Sequence, residues 1–238
     1  MLWYKAWMET RARFLFSLCG MVLLPSYFVY YEAQGVDGVT HAFWYYHTLH
    51  TGHGLIAAMW VAAVIFLMMG GLLREKAVGA ASFTLSLPVT RTRLMQVRIL
   101  CGLAQAMALA VIPWMAMLLV SRATGVATSV YQAAFHVVLL AGGGLVFLAL
   151  ALLVSSLVEG EYTAPAVCFG ILFADAIALD ARRFSGFSPW GFMLGSEYFD
   201  RRTQLLAGSI PWLHVMASVL FAVLLAGIAI RAVQRQEF

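Results

Sequence analysis

Three histidines spaced three apart, His47, His50 and His53, follow His41 in a stretch that also holds Phe43, Trp44, Tyr45 and Tyr46. On a helix that spacing puts the imidazoles on one face, where they could ligate a metal or titrate together near neutral pH. No acidic residue or cysteine lies at a comparably short spacing to complete a ligand set, and an aromatic belt at a membrane surface accounts for the same residues without a ligand. Asp175 is a second chemical group, an acid placed well inside an apolar run. A carboxylate inside a membrane is costly and faces a cavity or a partner, so Asp175 either lines a pathway or pairs with Arg182 or Arg183. The third group is a basic segment from Gly70 to Arg98, which carries Arg74, Lys76, Arg91, Arg93 and Arg98 against Glu75 alone. His136 and His214 lie on apolar runs and read as buried packing residues.

Other chemistries are poorly represented. There is no Ser-His-Asp order, no His-Glu-x-x-His zinc helix and no Gly-rich loop followed by Lys and Ser/Thr to hold phosphates. The chain has two lysines, Lys5 and Lys76, and neither stands in such a loop. Cys19, Cys101 and Cys168 fall in separate apolar runs, too far apart in sequence to suggest a disulfide framework or a metal motif.

The elements that must position these groups follow from composition. Of 238 residues, 63% are hydrophobic and 11% charged, with a mean hydropathy of +0.87. A water-soluble core of that composition would leave large apolar patches exposed, so the bilayer is the better solvent. At about 20 apolar residues per helical span, the chain accommodates about six spans with short loops. We therefore expect an all-α integral membrane protein with one transmembrane domain over residues 1–238 and no soluble domain.

Residues 1–13 alternate apolar and charged side chains and predict an amphipathic interfacial helix that enters the first span at an angle. That span covers Phe14 to Tyr31, with Pro25 inside it, and an outer connection runs from Glu32 to Gly54. The second span is expected over about His53 to Met69 and the third over Met95 to Val120, kinked at Pro113. The fourth spans Tyr131 to Val158 and carries Ala141-Gly142-Gly143-Gly144, small residues that let another helix approach closely. The fifth begins at Thr163 and Pro165 and ends near Asp180. Residues 181–208 are too interrupted to span and too apolar to float in water, which predicts an outer re-entrant or interfacial hairpin. The sixth span follows Ser209 and Pro211 and ends at Ile230. Under this assignment ten of the fifteen Lys and Arg residues lie on the side of both termini, which places the termini in the cytoplasm.

Within the basic segment, residues 75–86 can form a short helix that must stop before Pro88, and Thr90 or Thr92 can cap the helix that becomes the third span. The order Arg74-Glu75-Lys76, then Gly79, then Ser86-Leu87-Pro88-Val89-Thr90-Arg91-Thr92-Arg93-Leu94 resembles the first cytoplasmic loop of type-2 permease subunits of ATP-binding-cassette transporters. The resemblance implies that residues 74–94 form the coupling helix docked on a separate ATPase chain. Arg74, Glu75, Gly79, Leu87, Pro88 and Arg91 would make the main contact, and Glu159 and Glu161 in the second inner turn a smaller one. ATP and Mg would be held by that ATPase, with no cofactor in this chain. A second permease copy or a related permease would complete the pathway, and in related exporters the second and fifth spans line it, which points to Met59, Phe66, Phe169, Phe173 and Asp175. The implied location is the inner membrane of a bacterial cell, with the lipid bilayer as the other partner and no nucleic acid. Two readings compete with it. One is an intramembrane metal- or haem-dependent enzyme built on His47, His50 and His53; the other is a non-transporting membrane anchor.

Overall fold

The computed structural model describes residues 2–35, 41–69, 90–125, 129–158, 163–180, 188–195, 197–200 and 205–235. The long helices among the described residues are α1 (Leu2–Gly35), α2 (His41–Met68), α3 (Arg91–Ala123), α4 (Val130–Leu157), α5 (Thr163–Asp180) and α7 (Trp212–Arg235). Between α5 and α7 lie a six-residue helix, α6 (Pro189–Leu194), and an antiparallel pair of two-residue strands, β1 (Phe199–Asp200) and β2 (Leu205–Leu206). Among the described residues, four helices are long and apolar enough to cross a membrane: α1, α3, α4 and α7. Two shorter apolar stretches, Gly54–Met68 and Thr163–Asp175, accompany them among the described residues.

Residue pairing sets the helix directions. Thr10 of α1 meets Gln105 of α3, and Leu2 and Lys5 share a cavity with Leu94 and Arg98, so α1 and α3 run parallel. On the other side, Gly142 of α4 faces Val215 of α7, while Leu145 and Leu152 line a cavity with Val219 and Ala226, so α4 and α7 also run parallel. Ile99 and Leu103, early in α3, line that cavity opposite the late residues of α4, so α3 and α4 are antiparallel. One end of the bundle thus gathers the start of α1, the end of α2, the start of α3 and the end of α7, where Gln234 Nε2 donates to Thr92 Oγ1 at 2.9 Å. Both ends of the described chain lie at this end, called the proximal end below.

The core forms around α4. Its Gly142, Gly143 and Gly144 bear no Cβ, and each is used by a different neighbour. A Cβ on Gly142 would be 3.3 Å from the Val215 side chain of α7, one on Gly143 would be 3.1 Å from the Met193 backbone N of α6, and one on Gly144 would be 2.3 Å from the Trp60 ring of α2. Trp60 is wholly buried there, and its Nε1 donates to the Ala106 carbonyl of α3 at 3.0 Å. The close approach expected of the glycine run is therefore real, and it serves three elements at once.

Two expectations change. Residues 2–13 do not form a separate helix: α1 runs unbroken for 34 residues with Pro25 inside it, since no helix-breaking residue separates the amphipathic turns from the apolar ones. The connection expected from Glu32 to Gly54 is mostly helical, because α1 extends to Gly35 and α2 starts at His41. Pro113 lies inside a continuous α3.

Gly144→Leu should therefore lower stability by about 1–3 kcal/mol through overpacking against a buried ring. Gly170→Ala on α5, where a Cβ meets nothing within 4 Å, should be neutral or stabilising. Thermal melting of the two purified variants in detergent checks the contrast, and equal melting temperatures would contradict the packing described.

Candidate functional site

The proximal end holds the root of the basic segment. Arg74, Glu75, Gly79, Leu87 and Pro88 lie outside the described residues, as do Glu159 and Glu161, but both stems that carry the segment are defined. On the outgoing stem, Thr90 is the N-cap of α3: its Oγ1 accepts from Arg93 N at 3.3 Å, as the sequence suggests, and Arg91 is the first helical residue, half-buried. On the incoming stem, the last carbonyls of α2 have no intrahelical partners and need donors. Two arginines provide them. Arg13 Nη1 of α1 donates to Phe66 O at 3.1 Å and to Met69 O at 2.9 Å, and Arg98 Nη2 of α3 donates to Met68 O at 2.6 Å. Cations at a helix C-terminus also oppose the negative end of its dipole. Sequence reasoning read Arg13 and Arg98 only as topology charges, because their acceptors are 53 and 30 residues away.

The expected pathway residues are not all brought together. Phe66 of α2 and Phe169 of α5 form a tilted ring pair with centroids 6.0 Å apart. Phe66 remains 42% exposed, and Phe173, one turn farther along α5, is 65% exposed. Met59 is turned elsewhere and packs its Cε against Gly20 of α1. Beside Phe173, α5 exposes Val167, Ile171 and Ile177, so the Phe66–Phe169 pair borders a broad apolar face.

Asp175 is a capping residue in this structure. Its Oδ2 accepts from Ser188 Oγ and from Trp190 N, both at 3.1 Å, while Ser188 Oγ accepts from Gly191 N at 3.0 Å. The carboxylate thus satisfies the first turn of α6, which Pro189 opens and Gly195 closes in the left-handed region at φ 67°. Of the two roles weighed from sequence, a structural partner is present, though it is Ser188 and Trp190; Arg182 and Arg183 lie outside the described residues.

This cap fixes the depth of the segment between α5 and α7. Met193 is fully buried against Gly143, which lies about 20 Å along α4 from Val130, near the middle of that helix. The strand pair sits closer to the start of α4, where Gln132 Nε2 donates to Leu206 O at 3.0 Å and Leu206 N donates back to Gln132 Oε1 at 3.1 Å. Tyr131 OH donates to Gly208 O beside it. The segment dips along the helix and returns, held by a side-chain amide that acts as a third strand.

An aromatic cluster closes this distal end. His214 stacks on Phe192 with centroids 5.8 Å apart, and its Nδ1 lies 3.4 Å from Tyr198 OH. Burial first, and the Glu197 carboxylate second, push the Tyr198 phenol above its ordinary range, so it stays a neutral hydroxyl. His214 is exposed, contrary to the packing role expected, because it lies in the first turn of α7 at the surface of the bundle. His136 is buried as expected, edge-on to Trp114 at 4.7 Å. His47, His50 and His53 lie within the helix α2, and their side chains, on which the metal reading depends, lie outside the described residues. Among the described residues, no group of three His, Cys, Asp or Glu side chains could hold a metal ion.

No protein-family model and no curated protein matches this sequence.

If Asp175 acts as a cap, Asp175→Ala should cost about 1–2 kcal/mol, while Asp175→Asn, which keeps an acceptor oxygen, should recover most of that. Melting temperatures in detergent measure both. An Asn variant as unstable as the Ala variant would contradict the capping role.

Proposed function

We propose that the chain is the permease subunit of an ATP-binding-cassette transporter, crossing the bacterial inner membrane six times with both termini in the cytoplasm and working as an exporter with a separate ATPase and a second permease copy or a related permease. The observation that carries this reading is the clamp at the root of the basic segment. A coupling element needs a stiff connection to the helices it moves. Here the end of α2 is bonded to α1 through Arg13 and to α3 through Arg98, and α3 starts within the segment at a capped Thr90. Hydrogen bonds to charged donors are worth about 1.5–3 kcal/mol each, so displacing the segment shifts three helices together.

The parity of the bundle supports the six-span reading. Parallel pairs α1 with α3 and α4 with α7, and both described ends at the proximal end, require an even number of crossings. With α2 and α5 as the remaining spans the number is six. Arg91, Arg93 and Arg98 of the basic segment lie at this same end, which is the arrangement that a cytoplasmic face favours. The apolar face around Phe66, Phe169 and Phe173 is then the place for the second permease half and for the substrate path between them. Asp175 is withdrawn from the pathway residues, since it is occupied in holding α6.

The partner is the direct test. Affinity purification of the full chain from mild detergent should bring down a Walker-motif ATPase, and Gly79→Trp or Leu87→Asp should insert normally but abolish ATP-driven transport. Purification without an ATPase but with bound metal or haem would replace this reading with the enzyme, and neither would leave the anchor.

A further inference from the structure

The cavity shared by α3, α4 and α7, with Met68 of α2 in its wall, has a volume of about 170 Å³. Every side chain that lines it among the described residues is Leu, Ile, Val, Ala or Met. Its wall runs from Leu145 to Leu152 on α4 and from Val219 to Ala226 on α7, two turns of each, so the cavity is about 10 Å long and lies along the helices. Leu148 and Leu152 form its buried back. Val223, 63% exposed, stands at its mouth, where α7 packs along α4 and touches α3 only lightly. Depth follows from the helical rise. Ile99 and Leu103 lie about 12 and 18 Å along α3 from Arg91, the first helical residue at the proximal end. Half of a hydrocarbon core about 30 Å thick ends at that level, where the chains of the nearer leaflet terminate.

We propose that this cavity takes the terminal part of one phospholipid acyl chain from the leaflet at the proximal end. Two other occupants do not fit. Water needs two to four polar partners, and this wall presents apolar side chains only. A helix of a second copy is about 10 Å across with its side chains, whereas a cavity of about 150 Å³ takes one benzene, so this one has room for about seven carbons. An acyl chain is narrow enough to enter, and it is the solvent at the mouth. Left empty, the lining lacks partner atoms on one side, and a chain arriving from the bilayer restores those contacts without breaking a hydrogen bond. The site rests on the cavity and on the membrane character of the helices, and it would take a chain whether or not the protein is a permease. A seated chain fills the gap between α7 and α3 deeper in the bundle than the Gln234–Thr92 bond.

The test is photolabelling of the full chain in nanodiscs with phosphatidylcholine that carries a diazirine either at the end of one acyl chain or beside the glycerol, with labelled residues mapped by mass spectrometry. The chain-end diazirine should label Leu148 or Leu152 in the wild-type protein, and the diazirine beside the glycerol should label neither. Ala149→Leu, which fills the cavity from α4, should lower that labelling about fivefold or more, the penalty for forcing extra methylenes into occupied space. Ala226→Leu fills it from α7 and should do the same. Labelling of Leu224, exposed on α7 and outside the cavity, should stay unchanged in both variants. Wild-type labelling confined to outward residues such as Leu224 would overturn the site, as would labelling of Leu148 and Leu152 that survives both substitutions. Equal labelling from beside the glycerol would overturn the assignment to the chain end, and labelling by a free diazirine alkane but not by the phospholipid would overturn the assignment to a lipid.

Discussion

Close approach to α4 is the constraint on which the rest of the structure depends. Between membrane helices there is no solvent to expel, since lipid tails are as apolar as leucine, and association relies on contact and on satisfied polar groups. Gly142, Gly143 and Gly144 give contact by removing three successive side chains, which face three directions around the helix. Val215 of α7, Met193 of α6 and Trp60 of α2 occupy the space. Trp60 then reaches Ala106 and ties α3 to the same centre. A single side chain at Gly144 would push out the ring and with it the link between α2, α3 and α4.

Polar groups are placed where a backbone end needs them. Arg13 and Arg98 close the end of α2, Asp175 opens α6, and Gln132 takes the place of a strand beside Leu206. Each satisfies main-chain groups that lipid could not, which is the main requirement for irregular backbone inside a membrane. The two ends of the bundle differ as a result. The proximal end is a clamp of three helices around the stems of a basic segment, and the distal end is a dipping segment with an aromatic plug of Phe192, Tyr198 and His214. That asymmetry suits a subunit driven from one side and loaded or emptied at the other, in the function proposed above.

Much of this was legible in the residues. Apolar runs, the Thr90 cap and the glycine triplet are local signals, and the structure places elements or contacts at each. The helical start at His41 was missed because aromatic and histidine residues are indifferent helix formers whose state is decided by packing. The continuity of α1 was missed because a change from amphipathic to apolar character was read as a change of element. The partners of Asp175, Gln132, Arg13 and Arg98 had no local signature at all: their acceptors and donors are 13 to 74 residues away and exist only once the helices have packed.

The proposed function requires the proximal end, where α1 and α3 start and α7 ends, to face the cytoplasm. Single-cysteine labelling measures this directly, in a background with Cys19, Cys101 and Cys168 replaced by serine. A membrane-impermeant maleimide added to intact spheroplasts should label Ser209→Cys, at the exposed distal end, and should reach Gly79→Cys only after the membrane is opened. Labelling of Gly79→Cys from outside, with Ser209→Cys protected, would contradict it.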